Sequence, residues 1–179
     1  MTKNINPVGV IAVAISSILF LMTLNVKKTK FINYIGENGY LPSYYPRGIR
    51  NNNPGNLKIN DTIQWIGKLP RHENTDKTFE QFYTYDYGVR AMAIDLKTKI
   101  NKHGTIAKII QFYAPPTENN TEAYIASVER KTGINRNTYL IPNAKTLKSL
   151  VMAVIEHENG GKFYDYNKLD SIISKIAIP

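Results

Sequence analysis

The sequence predicts an α+β chain: a mostly helical domain with a small β-hairpin, preceded by a transmembrane helix at the N-terminus. Three observations carry this. From Tyr87 onward apolar residues recur at helical spacing between Gly, Pro and Asn punctuation. Residues 57–85 hold short β-branched and aromatic runs separated by polar turns. Residues 8–24 carry no charge at all.

Val8–Leu24 is broken only by Gly9, Ser16, Ser17 and Thr23. As a helix it spans roughly 25 Å, enough for a thin or locally adapted bilayer. A signal peptide competes with this reading, but the run ends in Asn25-Val26-Lys27-Lys28, with no small-x-small cleavage site. Residues 1–30 are therefore expected to be an uncleaved anchor contacting lipid. Lys27, Lys28 and Lys30 outweigh Lys3 and favour keeping the C-terminal side cytoplasmic. Residues 31–46, rich in Tyr, Gly and Pro, are expected to be a linker, with the domain occupying 47–179.

The domain opens on RGIRNNNPGNLKI, residues 47–59, a loop dense in residues that tolerate the left-handed region. Residues 57–59, 63–66 and 79–85 read as short strands. Helices follow. Val89, Met92, Ala93, Leu96 and Ile100 form the first stripe, ended by Gly104. Ile106, Ile109, Ile110 and Tyr113 form the second, stopped by Pro115-Pro116. Asn120 or Thr121 caps a third, closed by Gly133, and Asn143 caps a fourth, closed by Asn159-Gly160-Gly161. A fifth is expected over residues 167–176.

Composition narrows the chemistry. The chain has 179 residues and no cysteine, which removes disulfides, thiolate metal sites and a Cys nucleophile. Its three histidines show no metal-ligand spacing, so neither a metal nor another cofactor is expected. The net charge is +9, and four of the lysines lie in the first thirty residues. The remainder carries 19 basic against 14 acidic residues, too few for a dedicated nucleic-acid binder but suited to an anionic polymer.

The fourth helix holds the sharpest candidate. Positions 147, 151, 154 and 158 share one face, since eleven residues make three turns to within about 20°. Leu147, Val151 and Val154 are apolar, and the fourth is Glu158. Burial and the negative end of the helix dipole both raise a carboxyl pKa there, as a general acid near neutral pH requires. As a fraying helix end, Glu158 could equally turn out to water or meet an arginine. Glu156 points about 200° away. His157-Glu158 does not extend to a His-Glu-x-x-His zinc motif, because position 161 is Gly.

Five ordered segments resemble a family of phage and prophage virion proteins with a lysozyme-like, peptidoglycan-degrading domain. They are PRGIRNNNPGNLKI, IQWIGKL, FEQFYTYDYGVRAMAIDL, GTIAKIIQFYAPPTENNTEAYIASVERKTGI and VMAVIEHENGGKFY, covering about residues 47–164. Residues 53–85 are also similar to bacterial glucosaminidases of the flagellar and autolysin type. Glu158-Asn159-Gly160 is similar to the Glu-Ser-Gly that carries the acid of lytic transglycosylases, although in those relatives that helix precedes the hairpin.

The resemblance implies cleavage of the β-1,4 bond of peptidoglycan glycan strands, with Glu158 as general acid and no cofactor. Glu37, in Glu37-Asn38-Gly39, is a rival acid. Asp86 is a candidate second carboxylate, with Glu73 and Glu80 beside it, although Asp86 also suits a helix cap. Without a compelling second acid, a transglycosylase is favoured over a hydrolase. Trp65, Tyr83 and Tyr124 are candidate sugar platforms, and Asn53 and Asn56 candidate ligands for acetamido groups, set against core and turn roles. Other virion proteins are expected partners. The alternatives are a non-catalytic virion protein that only binds the wall, and a basic nucleic-acid binder.

Overall fold

The computed structural model describes residue 41 and residues 43–176. The expected anchor at Val8–Leu24 and the rival acid Glu37 lie outside them. Among the described residues no helix is long and apolar enough to cross a membrane.

Among the described residues six α-helices follow one another: α1 (Arg47–Arg50), α2 (Tyr85–His103), α3 (Ile106–Tyr113), α4 (Thr121–Thr132), α5 (Ala144–Asn159) and α6 (Leu169–Ile173). A 3₁₀ turn at Tyr166–Lys168 leads into α6. Their limits follow from capping chemistry. The side chains of Thr84, Thr105, Asn120 and Asn143 accept the backbone N–H three residues on, at the starts of α2 to α5. Gly133 and Gly160 close α4 and α5 in the left-handed region, which a Cβ disfavours. Helix α2 starts at Tyr85 because Thr84 caps it, and Asp86 falls within its first turn.

Helix α5 is the hub, packing against α1, α2, α4 and α6. Its Leu147, Leu150, Val151, Val154 and Ile155 are buried together with Val89, Met92, Leu96 and Ile100 of α2 and Ile106, Ile109 and Ile110 of α3. Each such side chain contributes about 1.5–3 kcal/mol of transfer free energy. Leu41, upstream of the expected boundary near Pro46, is buried in the same core.

The predicted α+β class is corrected: the regular structure is helical, and no β-strand forms among the described residues. The expected hairpin is reduced to single antiparallel bridges, Lys58 with Phe79 and Lys68 with Phe82. The reason lies in the loop that precedes it. Asn51, Asn52 and Asn53 are buried and take the backbone groups that a longer ladder would use. The Phe82 N–H donates to the Asn51 carbonyl (3.1 Å). Asn52 Nδ2 donates to the Phe82 carbonyl (3.0 Å), and Asn53 Nδ2 donates to the carbonyls of Leu57 and Glu80 (both 2.9 Å). The segments still bond to one another at single points, as where the Ile59 N–H donates to the Thr78 carbonyl (3.0 Å) and the Glu80 N–H to the Leu57 carbonyl (2.9 Å), and side-chain amides hold the positions between.

A second stitch is Asp76. Its carboxylate accepts from Arg47 Nε and Nη2, from Asn51 Nδ2 (each 2.7 Å) and from the N–H groups of Thr78 and Phe79 (both 3.0 Å). Burial works against the charge, but Arg47, Asn51, Phe79 and Thr78 hold it far below the ordinary carboxylate range.

Candidate active site

The loop after α1 and the end of α5 are joined over about a hundred residues of chain. Asn159 Nδ2 donates to the Pro54 carbonyl (2.9 Å) and to the Ile155 carbonyl (2.8 Å). Next to it, Asn56 Nδ2 donates to Glu158 Oε2 (2.8 Å). Asn56 sits at φ 47°, in the left-handed region that asparagine tolerates better than most residues, and this aims its amide at the carboxylate. Gly48 of α1 makes the close approach feasible: a Cβ there would stand 2.6 Å from Asn159 Oδ1 and 2.9 Å from the Asn53 carbonyl.

Glu158 is partly buried. Its Oε1 accepts from Tyr124 Oη (2.7 Å), so each oxygen has one donor. Burial raises its pKa, and the two hydrogen bonds, which favour the charged form, oppose part of that rise. Tyr124 is buried and stacked on His157, ring centroids 3.7 Å apart. Burial, with Glu158 alongside, pushes the Tyr124 phenol well up, so it stays a donor. Desolvation lowers the His157 pKa, with Lys131 adding to it.

Glu158 opens into a cavity of about 580 Å³. One wall is the loop segment Gly55–Lys58 with Asn60, Ile63, Trp65 and Phe79. The other is Asp95 and Lys99 of α2, Phe112 and Tyr113 of α3, and residues 114–119. Lys58 and Glu118 pair across it. Tyr113 Oη donates to the Gly55 carbonyl, and its ring stands edge-on to Tyr124.

The sequence-derived residues separate on this geometry. Glu158, Asn56 and Trp65 line the cavity. Tyr124 holds the carboxylate from behind and offers no open face. Asn53 is fully buried with its amide engaged, and the Asn56 amide nitrogen is turned to Glu158 at the cavity wall. Tyr83 is exposed, donates to Glu73 (3.2 Å) and lies away from the cavity. Asp86 accepts from Tyr164 Oη (3.0 Å), also away from it. Glu80 is buried against Lys68 (3.3 Å) and the Asn60 N–H. Glu156, expected to face solvent, accepts from Lys131 (2.7 Å) and Tyr166 (3.2 Å).

Besides Glu158, the carboxylates that reach the cavity are Glu118, paired with Lys58, and Asp95, in sequence one acid on an ordinary helix. Both of its oxygens are taken by Lys99, at 2.6 and 2.7 Å. The i, i+4 spacing of this pair was its only advance signal. Among the described residues no group of His, Asp and Glu could hold a metal ion.

Over 128 residues the sequence is 44% identical to Protein P5 of Pseudoalteromonas phage PM2, an alignment covering 69% of this chain and 77% of that protein. The chain belongs to the Protein P5 family. No protein-family profile matches it. Membership of the P5 family establishes kinship with a bacteriophage protein.

Proposed function

We propose that this P5-family chain is a virion-associated muralytic enzyme, in which Glu158 is the general acid that cleaves the β-1,4 bond of peptidoglycan. One observation carries the reading: a carboxyl whose pKa is raised by burial is held by two donors at the wall of an open, aromatic-bearing cavity. A general acid needs a raised pKa and a fixed direction of delivery; burial raises that of Glu158, and its two donors fix the carboxyl in place.

In the proposed reaction Glu158 gives its proton to the leaving glycosidic oxygen as the C1–O bond breaks and C1 takes on oxocarbenium character. The C6 hydroxyl of the same sugar then forms the new bond to C1, and its proton returns to Glu158. One residue thus acts as acid and then base, and the product carries an anhydro end. Asp95 and Glu118 share the cavity, but Lys99 engages both oxygens of Asp95 and Lys58 pairs with Glu118, which disfavours either as nucleophile or base, so transglycosylation is preferred to hydrolysis. The resemblance of Glu158-Asn159-Gly160 to the transglycosylase motif points the same way.

The test is turbidity loss of purified peptidoglycan, with mass spectrometry of the released muropeptides. Wild type is expected to clear the suspension and leave anhydro ends, and Glu158→Gln to clear it at least a hundredfold more slowly. Equal clearance by the two proteins refutes Glu158 as the acid. Reducing ends in place of anhydro ends refute transglycosylation.

A further inference from the structure

Phe112 is 62% exposed although it lies in α3, whose Ile106, Ile109 and Ile110 are fully buried. It stands about 200° around the helix from Ile110, on the side that borders the cavity. The ring is not loose on the surface. His103, the last residue of α2, stacks on it with centroids 3.9 Å apart and planes 13° from parallel. The connection that sets this pairing is tight. Gly104 turns the chain at φ 77°, and Thr105 caps α3 directly afterwards. One face of the phenyl ring is therefore backed by imidazole, and the other is offered outward at the cavity rim. Around that rim stand Glu118, Asn119 and Lys58, groups that can exchange hydrogen bonds with hydroxyl and amide substituents.

An apolar ring held face-out beside polar groups matches a ligand that has an apolar face and a polar edge. A pyranose is such a ligand. Its axial C–H groups carry partial positive charge and pack on the electron-rich face of an aromatic ring, while its hydroxyl and acetamido groups project sideways. We infer that Phe112, backed by His103, is a sugar-stacking platform on the α3 wall of the cavity and binds an amino-sugar unit of the glycan strand. The inference rests on the glycan reading of the cavity, but not on Glu158 being catalytic.

The experiment measures binding of soluble, peptide-free peptidoglycan strands to the full chain by calorimetry, in a Glu158→Gln background so that no turnover intervenes. Phe112→Ala is expected to weaken binding about tenfold, the equivalent of roughly 1.4 kcal/mol, at an unchanged melting temperature because the side chain is exposed. Phe112→Trp is expected to restore it. If strands bind the parent and Phe112→Ala equally, the platform is refuted and the glycan reading stands. If strands bind neither protein, the glycan reading of the cavity fails and the platform with it. A lower melting temperature in Phe112→Ala together with no rescue by Trp assigns Phe112 a structural role and also refutes the platform.

Discussion

Asn56→Gly isolates the contribution of one hydrogen bond to the acid. Glu158 has two donors, Asn56 Nδ2 at 2.8 Å and Tyr124 Oη at 2.7 Å, and each favours the charged carboxylate. Hydrogen bonds to charged groups are worth about 1.5–3 kcal/mol. Glu158 is only partly buried, so the lower end applies, and about 1.4 kcal/mol corresponds to one pH unit. Glycine is the right replacement because Asn56 lies at φ 47°. Alanine there would add about 1–2 kcal/mol of left-handed strain and confuse the result. An acid works while protonated. Removing a donor that favours the charged form keeps the proton on to higher pH, so the alkaline limb of the clearance profile should move up by about one pH unit. Peptidoglycan clearance across a pH series reads the limb, and carbon-13 NMR of the Glu158 carboxyl reads the titration independently of turnover. If the carboxyl titrates at the same or a lower pH in the variant, Asn56 does not stabilise its charge in solution and the argument fails.

Three further outcomes follow from the same geometry. Because burial makes the folded protein hold the Glu158 proton more tightly than the unfolded chain does, wild type should lose stability as pH rises from about 4.3 through the raised value. Glu158→Gln should lack this loss, matching wild type near pH 4 and melting at or above it at pH 8, by thermal denaturation at both. Asp76→Asn should cost about 2–3 kcal/mol at pH 7, discounted for the solvent-exposed Arg47 partner. Asp76 is held low, so its contribution is present above about 4 and fades below, and denaturant midpoints of wild type and variant should converge towards pH 2. Gly88→Ala would place a Cβ 1.8 Å from the Asn52 carbonyl oxygen, so it should lose about 3 kcal/mol, or roughly 10 °C in melting temperature. A melting temperature within 2 °C of wild type would mean that the loop and α2 are not in register as described.

The helices were legible because their punctuation is local. Thr105, Asn143, Gly104, Gly133 and Gly160 act within one turn of their own position, and the stripes of α2 and α5 follow from a fixed period. Glu158 was legible for the same reason, as an acid on an apolar stripe. The strands misled because β-branched runs report only what a segment would do with a free partner. Here Asn51, Asn52 and Asn53 claim part of the partner's backbone, through contacts about thirty residues away, and only single bridges form. The same non-locality hid the true neighbours of Asp86, Asp76 and Asp95. Each is one carboxylate in sequence, but Tyr164, Arg47 and the cavity give each a different role. Asn56 shows the limit within a single residue. Its turn geometry could be read, but the Glu158 carboxylate at the end of that turn is 102 positions away.

That separation has a consequence for how the molecule comes into being. The carboxylate and the loop that orients it are among the most distant pairs in the domain, so the site belongs to the late, high-contact-order part of folding. On a ribosome, the Asn56 segment emerges roughly 5–20 s before Glu158 does. Until α5 is complete the chain lacks both the hub of its core and the proposed acid. Truncation before residue 158 therefore removes the proposed acid, and truncation before α5 removes the hub of the core with it, a coupling that arises from chain order alone.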